Sequence, residues 1–108
     1  MIVPLLQAKA ELFRTLGHPV RIRILELLTE RDHDVTELFS AFEADPTTLN
    51  DHLSALRHAR LIGVVRTGAL VTYTLLTPSI ANLLTDGRRV LAEHLAEHEQ
   101  PRYADRPD

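Results

Sequence analysis

Residues 45–56 of this chain read Asp-Pro-Thr-Thr-Leu-Asn-Asp-His-Leu-Ser-Ala-Leu, a pattern typical of a helix with one apolar and one polar side. The carboxylate of Asp45 suits a helix N-cap, and Pro46 suits the first helical position, where a missing N–H costs nothing. Leucines recur in this stretch at spacings of four and three residues, which places them on one face. These leucines are Leu49, Leu53 and Leu56.

The sides of this helix that face away from the leucines carry polar side chains, most of them short. The set is Thr47, Thr48, Asn50, Asp51, His52 and Ser54. Such a face suits an element laid in a DNA major groove, where base edges present hydrogen-bond donors, acceptors and the thymine methyl group. Asp51 either accepts from a cytosine amino group or weakens nonspecific binding. We expect His52 to contact a base or a phosphate, the alternative being a solvent-exposed polar residue.

Length and composition indicate a small regulator with one domain, at residues 1–100. The chain has 108 residues, of which 44% are hydrophobic, and no apolar run approaches the roughly 18 residues of a membrane helix. Residues 1–5 lack the basic start of a signal peptide, so we expect a cytoplasmic protein. The absence of cysteine excludes disulfides and thiolate metal sites.

The net charge of −3 is mildly unfavourable for nucleic-acid binding, but the positions of the charges matter more than their sum. Arg57, Arg60 and Arg66 lie within or shortly after the 46–60 helix in sequence, whereas acidic residues gather near the end of the chain. We expect Arg57 to belong to the DNA-binding surface. Arg66 enters a minor groove or pairs with a phosphate, or it is only a solvated charge of a hairpin.

Hydrophobic periodicity and turn residues predict the order of the elements. We expect helices at residues 3–16, 20–29, 35–42, 46–60 and 77–99, and strands at 61–65 and 70–75. The strands form a hairpin with Gly68 at its turn. Residues 30–34 are expected to be a loop and residues 101–108 a disordered polar tail. The fold class is mainly α with a small β-hairpin (α+β), in the order α-α-α-α-β-β-α of a winged helix-turn-helix.

Four stretches in this order resemble the ArsR/SmtB family of bacterial repressors. They are Leu-Phe-Arg-Thr-Leu-Gly-His-Pro-Val-Arg-Ile-Arg-Ile-Leu at 12–25, Thr-Glu-Leu at 36–38, Thr-Leu-Asn-Asp-His-Leu-Ser-Ala-Leu at 48–56 and Val-Thr-Tyr-Thr-Leu at 71–75. The resemblance covers nearly the whole chain. It implies a homodimer formed through the first and last helices, an operator that is an imperfect inverted repeat, and repression relieved by an effector, often a metal ion.

The chain departs from this family at the usual metal ligands. Asp-Val-Thr at residues 34–36 replaces the Cys-x-Cys of many family sensors, so thiophilic ions lose their ligands. Pro78 and Ile80 stand at the early ligand positions of the last helix and cannot bind a metal.

Histidines of the last helix remain as candidate ligands. His94 and His98 are four residues apart and share a helix face, with Glu97 nearby, which is an arrangement that could hold Ni²⁺ or Zn²⁺. His33 is a candidate remote ligand. The alternative is that these histidines are surface or interface residues near a frayed helix end, in a regulator with no metal effector.

Two classes of function remain open at this point, because no paired catalytic carboxylates, phosphate loop or nucleophile arrangement indicates an enzyme. The first is a dimeric DNA-binding transcriptional regulator, in particular a repressor. The second is a winged-helix dimer that acts as a protein-interaction module. The polar face of the 46–60 helix favours DNA, since a protein-binding face would be more apolar.

Overall fold

The computed structural model describes the backbone of residues 2–105 and the side-chain environment of residues 3–96. Five helices and three strands follow one another along this part of the chain. They are α1 (Ile2–Leu16), α2 (Pro19–Glu30), β1 (His33–Asp34), α3 (Val35–Ser40), α4 (Pro46–His58), β2 (Ile62–Thr67), β3 (Leu70–Leu75) and α5 (Ile80–Asp105). The expected helices and hairpin are confirmed, with α3 and α4 as the helix-turn-helix and β2–β3 as the wing.

The sheet has three antiparallel strands in the order β1-β3-β2, rather than the two that the sequence predicts. His33 pairs with Tyr73 and Asp34 with Thr72, so part of the expected loop at 30–34 is a strand. The predicted fold class is confirmed, and β1 is an added strand that the sequence analysis did not predict. A strand of two residues is too short to show alternation, and its pairing depends on a partner about forty residues along the chain.

Local signals explain the ends of several elements. Asp34 and Glu37 form a reciprocal capping box at the start of α3, in which each carboxylate accepts from the backbone N–H of the other residue, at 2.8 and 3.0 Å. Gly68 has a φ of 62° between β2 and β3, the left-handed conformation that glycine adopts without strain. The turn of the hairpin is therefore at Gly68, as the sequence predicts.

The core lies between α2, α4 and the sheet. Its members come from helices and strands far apart in sequence, and α4 contributes the leucines of its apolar face. Residues exposed by less than 2% are Ile24, Leu25, Leu38, Leu49, Leu53, Leu56 and Ile62. Burial of these side chains is what fixes α4 against α2 and β2.

Helix α5 begins at Ile80 and runs to Asp105, past the end expected at residue 99. Its first turns pack on the core, where Ile80 is buried and Leu84 half-buried. The helix continues through Pro101, past the point at which the polar tail is expected to begin. A proline removes one helical hydrogen bond and bends a helix without always ending it. Residues 106–108 lie outside the described part of the chain.

No helix within the described residues is both long and apolar enough to cross a membrane.

Replacement of Leu53 by alanine should lower the free energy of unfolding by about 2–5 kcal/mol, because the substitution leaves a cavity under α4. Leu53 is only 1% exposed. Chemical denaturation followed by circular dichroism measures this loss. The neighbouring exposed change Ser54→Ala is the control and should alter stability far less, so equal losses in the two variants would contradict the packing described for α4.

Candidate nucleic-acid interface

Helix α4 is capped as its sequence predicts. Oδ2 of Asp45 accepts from the backbone N–H of Thr48 at 3.2 Å and from its Oγ1 at 3.4 Å, and Pro46 occupies the first turn. These contacts satisfy donors that a helix start otherwise leaves unpaired. The beginning of the exposed face is therefore held in place before any partner is bound.

The exposed side of α4 carries most of the side chains that the sequence assigns to DNA recognition. The exposed set is Thr47, Thr48, Asn50, Asp51, Ser54 and Arg57. Within it, Thr48 also serves the cap through its hydroxyl. The leucines below them are buried, so this face can enter a groove without uncovering the core.

The prediction that His52 lies on this exposed face is wrong. Its side chain is 7% exposed and points toward α2. His52 follows Leu49 by three residues and precedes Leu56 by four, and residues at these spacings share one helix face. The position of His52 on the leucine face was therefore readable from the sequence. The buried ring of His52 lies beneath the exposed face and is not part of it.

His52 belongs to a cluster of three polar side chains, together with Arg21 and His18. Nε of Arg21 donates to Nδ1 of His52 at 3.0 Å, and Nη1 of Arg21 donates to the backbone oxygen of Thr15 at 3.2 Å. The ring centroids of His18 and His52 lie 4.1 Å apart, with the planes inclined at 47°. Nδ1 of His18 accepts from the backbone N–H of Val20 at 3.2 Å and caps α2. The cluster thus joins α4 to the start of α2 and the end of α1.

The charge state of His52 follows from these contacts. Burial, together with the nearby His18 and Arg21, lowers the pKa of His52 below its usual range, and the charge of Asp51 opposes this only in part. Because Nδ1 accepts a hydrogen bond from an arginine, the ring is neutral and carries its proton on Nε2. Protonation would remove this acceptor and place two cations in contact.

The sequence analysis assigned no role to Arg21 or His18, and Arg21 makes the hydrogen bond that holds His52. An arginine in an amphipathic helix usually pairs with an acid on its own helix, as Arg23 does with Glu26 at 3.3 Å. Arg21 instead bonds to a ring 31 residues away. The position of His52 on the leucine face could have indicated such a residue in the sequence, since a buried imidazole ring requires a polar partner.

Two predicted cationic contacts lie on the α4 and wing side of the molecule. Arg57 is in the last turn of α4, and Arg66 lies on β2 beside the turn, opposite Val71. Both side chains are exposed. Neither forms an ion pair with a carboxylate in the described part of the chain. They are therefore available to an external anion.

The expected nickel or zinc site is not tested by the structure. His94 is exposed on α5, whereas the side chains of Glu97 and His98 lie outside the described residues. His33 is buried, and its Nδ1 donates to the backbone oxygen of Arg31 at 3.0 Å. The side chains described here include no group of three or more histidines or acids placed to hold a metal ion. The metal site stays a prediction.

Stability should depend on pH through His52. Because its pKa is lower in the folded chain, the unfolded chain binds the proton more readily, and the free energy of unfolding should fall as the pH drops below about 6.5. His52→Gln keeps an acceptor for Arg21 but does not titrate, so its free energy of unfolding should fall less over the same interval. Urea titrations at a series of pH values measure both slopes. Identical slopes would show that His52 does not carry this dependence.

Comparison with known proteins agrees with this architecture. Residues 18–64 match the model of a family described as bacterial regulatory protein, arsR family. The chain is 45% identical over 95 residues to the HTH-type transcriptional regulator Rv0081 of Mycobacterium tuberculosis, an alignment that covers 87% of this chain and 83% of that protein. It is 32% identical over 91 residues to a protein named transcriptional repressor SmtB homolog from Synechocystis, covering 84% of this chain and 66% of that protein.

Solved structures show the same fold. The crystal structure of Rv0081 superimposes with a TM-score of 0.81 and covers 88% of this chain and 96% of that one. A solution structure of Mb0332 from Mycobacterium bovis has a TM-score of 0.75 at 28% identity and covers 89% of each chain. It is described as a homodimeric winged helix-turn-helix DNA-binding domain of a possible ArsR-family regulator. The family resemblance of the sequence is thus confirmed, and this chain belongs to the ArsR family of bacterial winged helix-turn-helix transcriptional regulators.

Proposed function

We propose that this protein is a homodimeric repressor that binds operator DNA by placing α4 of each subunit in a major groove. The observation that carries the proposal is the division of α4 into a buried leucine face and an exposed polar face. Asn50 and Ser54 are exposed on the same helix whose Leu49 and Leu53 are 1% exposed. This division presents hydrogen-bonding groups on a rigid support, as base-edge recognition requires.

Dimer formation is supported by apolar surface that the single chain leaves uncovered. On α1, Leu6 is 54% and Phe13 57% exposed, and on α5, Leu91 is 61% and Leu95 56% exposed. Soluble monomers rarely leave large contiguous apolar surface in water. A two-fold interface would cover both helices with their own copies in the partner. The homodimeric Mb0332 domain has this fold, which supports the same assembly here.

A two-fold axis would present two copies of α4 to one side of a duplex. Helices separated by one turn of DNA, roughly 34 Å, read half-sites related by the same two-fold symmetry. The expected operator is accordingly an imperfect inverted repeat. Repression follows when such a dimer occupies a promoter, and the Synechocystis relative is named a repressor.

The proposal includes an effector that would release the protein from its operator. Ni²⁺ or Zn²⁺ at His94, His98 and Glu97 would bind imidazoles only in their neutral form, so binding would weaken as the pH falls through the histidine range. An ion bridging the two copies of α5 would alter the spacing of the two α4 helices at a distance. A regulator without a metal effector is the alternative, and calorimetry with each ion separates the two.

Replacement of Asn50 by alanine should weaken binding to the DNA upstream of the protein's own gene by about 1–3 kcal/mol, with little effect on a duplex of scrambled sequence. The reason is that a base contact contributes to specific binding alone. Asn82→Ala, an exposed asparagine at the start of α5, is the matched control. Electrophoretic mobility shift at fixed salt measures both. Undiminished binding by the Asn50 variant would show that Asn50 does not contact DNA. A parent protein that binds neither duplex would favour a protein-interaction module.

Introduction of aspartate at both Phe13 and Leu91 should convert the dimer to a monomer and abolish tight operator binding with it. Buried negative charge would oppose association, while both positions are exposed in the single chain and leave its core unchanged. Sedimentation equilibrium at micromolar concentration gives the oligomeric state. Leu70→Asp is the control for the oligomeric state alone, because Leu70 is 52% exposed but lies on the wing, away from α1 and α5. A parent protein that is monomeric under these conditions would contradict the assembly.

A further inference from the structure

The end of α4 has a backbone conformation that its sequence does not favour. The N–H of Arg60 donates to the carbonyl of Arg57 at 2.9 Å, and the N–H of Leu61 to the carbonyl of Leu56 at 3.1 Å, which together form a Schellman motif. Arg60 has a φ of 61° in this motif. It is the one residue other than glycine with positive φ among those that the structure describes.

An arginine is an unfavourable choice at this position. The left-handed conformation brings Cβ too close to the following carbonyl in every residue except glycine, so glycine would close the helix with less strain. The turn is otherwise well held, since the backbone oxygen of Arg60 accepts from Oγ1 of Thr77 at 3.0 Å. Strained backbone conformations of this kind cluster at functional sites.

Arg60 borders an open cleft of about 560 Å³ between the end of α4 and the start of β2. Arg57 and His58 line the same cleft, whose apolar wall includes Ile62 and Leu76. None of the described residues that line it carries a carboxylate. Ser54 also lines the cleft, so it is continuous with the exposed polar face of α4. The cleft is a concentration of positive charge beside the proposed groove-reading surface.

The distribution of ion pairs points to the same surface. Within the described residues, the arginines paired with carboxylates are Arg14, Arg23, Arg31, Arg88 and Arg89. None of these lies on α4 or the wing. Arg57 and Arg66 do lie there, Arg60 lies in the turn between α4 and β2, and none of the three has a carboxylate partner among the described residues. A cation near a helix C-terminus also stabilises the helix. Arg57 and His58 already occupy the last turn of α4, so this effect does not explain the arginine at position 60.

We propose that Arg60 binds a phosphate of the DNA backbone at the C-terminal end of α4, and that this contact is the reason an arginine occupies a position suited to glycine. The inference rests on the proposed DNA-binding function. A phosphate contact orients α4 in the groove without reading sequence, and its strength depends on salt. The cleft would receive the backbone strand that borders the groove occupied by Asn50 and Ser54.

The decisive variant is Arg60→Gly, because its effects on stability and on binding should have opposite signs. Relief of the left-handed strain should raise the thermal midpoint of unfolding, while loss of the cation should weaken binding several-fold. The loss should be similar for the upstream duplex and for a duplex of scrambled sequence. The slope of log K against log salt should decrease by about 0.9 for each lost phosphate contact, hence by about 1.8 for a dimer.

Three further variants separate charge from backbone conformation. Arg60→Asn tolerates the left-handed conformation without a charge and should lose binding like the glycine variant. Arg60→Lys keeps the charge and should keep the salt slope. Arg23→Gln changes the net charge equally on α2, where Arg23 is paired with Glu26, and should leave the slope unchanged.

Fluorescence anisotropy across a salt series, with thermal denaturation of each variant, supplies both readouts. Parent affinity and parent slope in Arg60→Gly would overturn the proposal. A glycine variant less stable than the parent would overturn it too, since the arginine would then have a structural role. Absence of salt-dependent DNA binding by the parent itself would instead refute the proposed function, so the two failures are distinguishable.

Discussion

Burial of the leucine face of α4 is the constraint on which the rest of this structure depends. Leu49, Leu53 and Leu56 are at most 1% exposed, and they hold the helix against α2 and the sheet. A helix with three buried positions of this kind has a fixed rotation about its axis. Its polar side must then face outward, and the proposed recognition surface is a consequence of core packing rather than a separate feature.

Polar contacts at the edge of this core extend the same constraint to the first helix. Arg21 bonds to His52 of α4 and to the carbonyl of Thr15 at the end of α1. An arginine that serves two elements in this way limits how far one can move relative to the other. In the proposed dimer α1 would lie at the subunit interface. Arg21 thus connects α4 to the end of α1 by direct hydrogen bonds.

The positions of the charged side chains in this protein matter more than its net charge. The chain has a net charge of −3, yet the arginines of α4 and the wing lack carboxylate partners among the described residues. Acidic partners neutralise arginines elsewhere, as Glu26 does for Arg23 on α2 and Arg88 on α5. Local fields within a Debye length, about 8–10 Å at ordinary salt, matter more for DNA binding than net charge.

The amino-acid sequence by itself determined the features that depend on neighbouring residues. The start of α4 follows from Asp45 and Pro46, its faces from leucine spacing, and the wing turn from Gly68, because caps, helical periodicity and turns are local properties. Tertiary structure alone decided that β1 pairs with β3 and that Arg21, 31 residues before His52, supplies its hydrogen bond. Such features depend on which distant segments meet in the core, and no local pattern specifies that meeting.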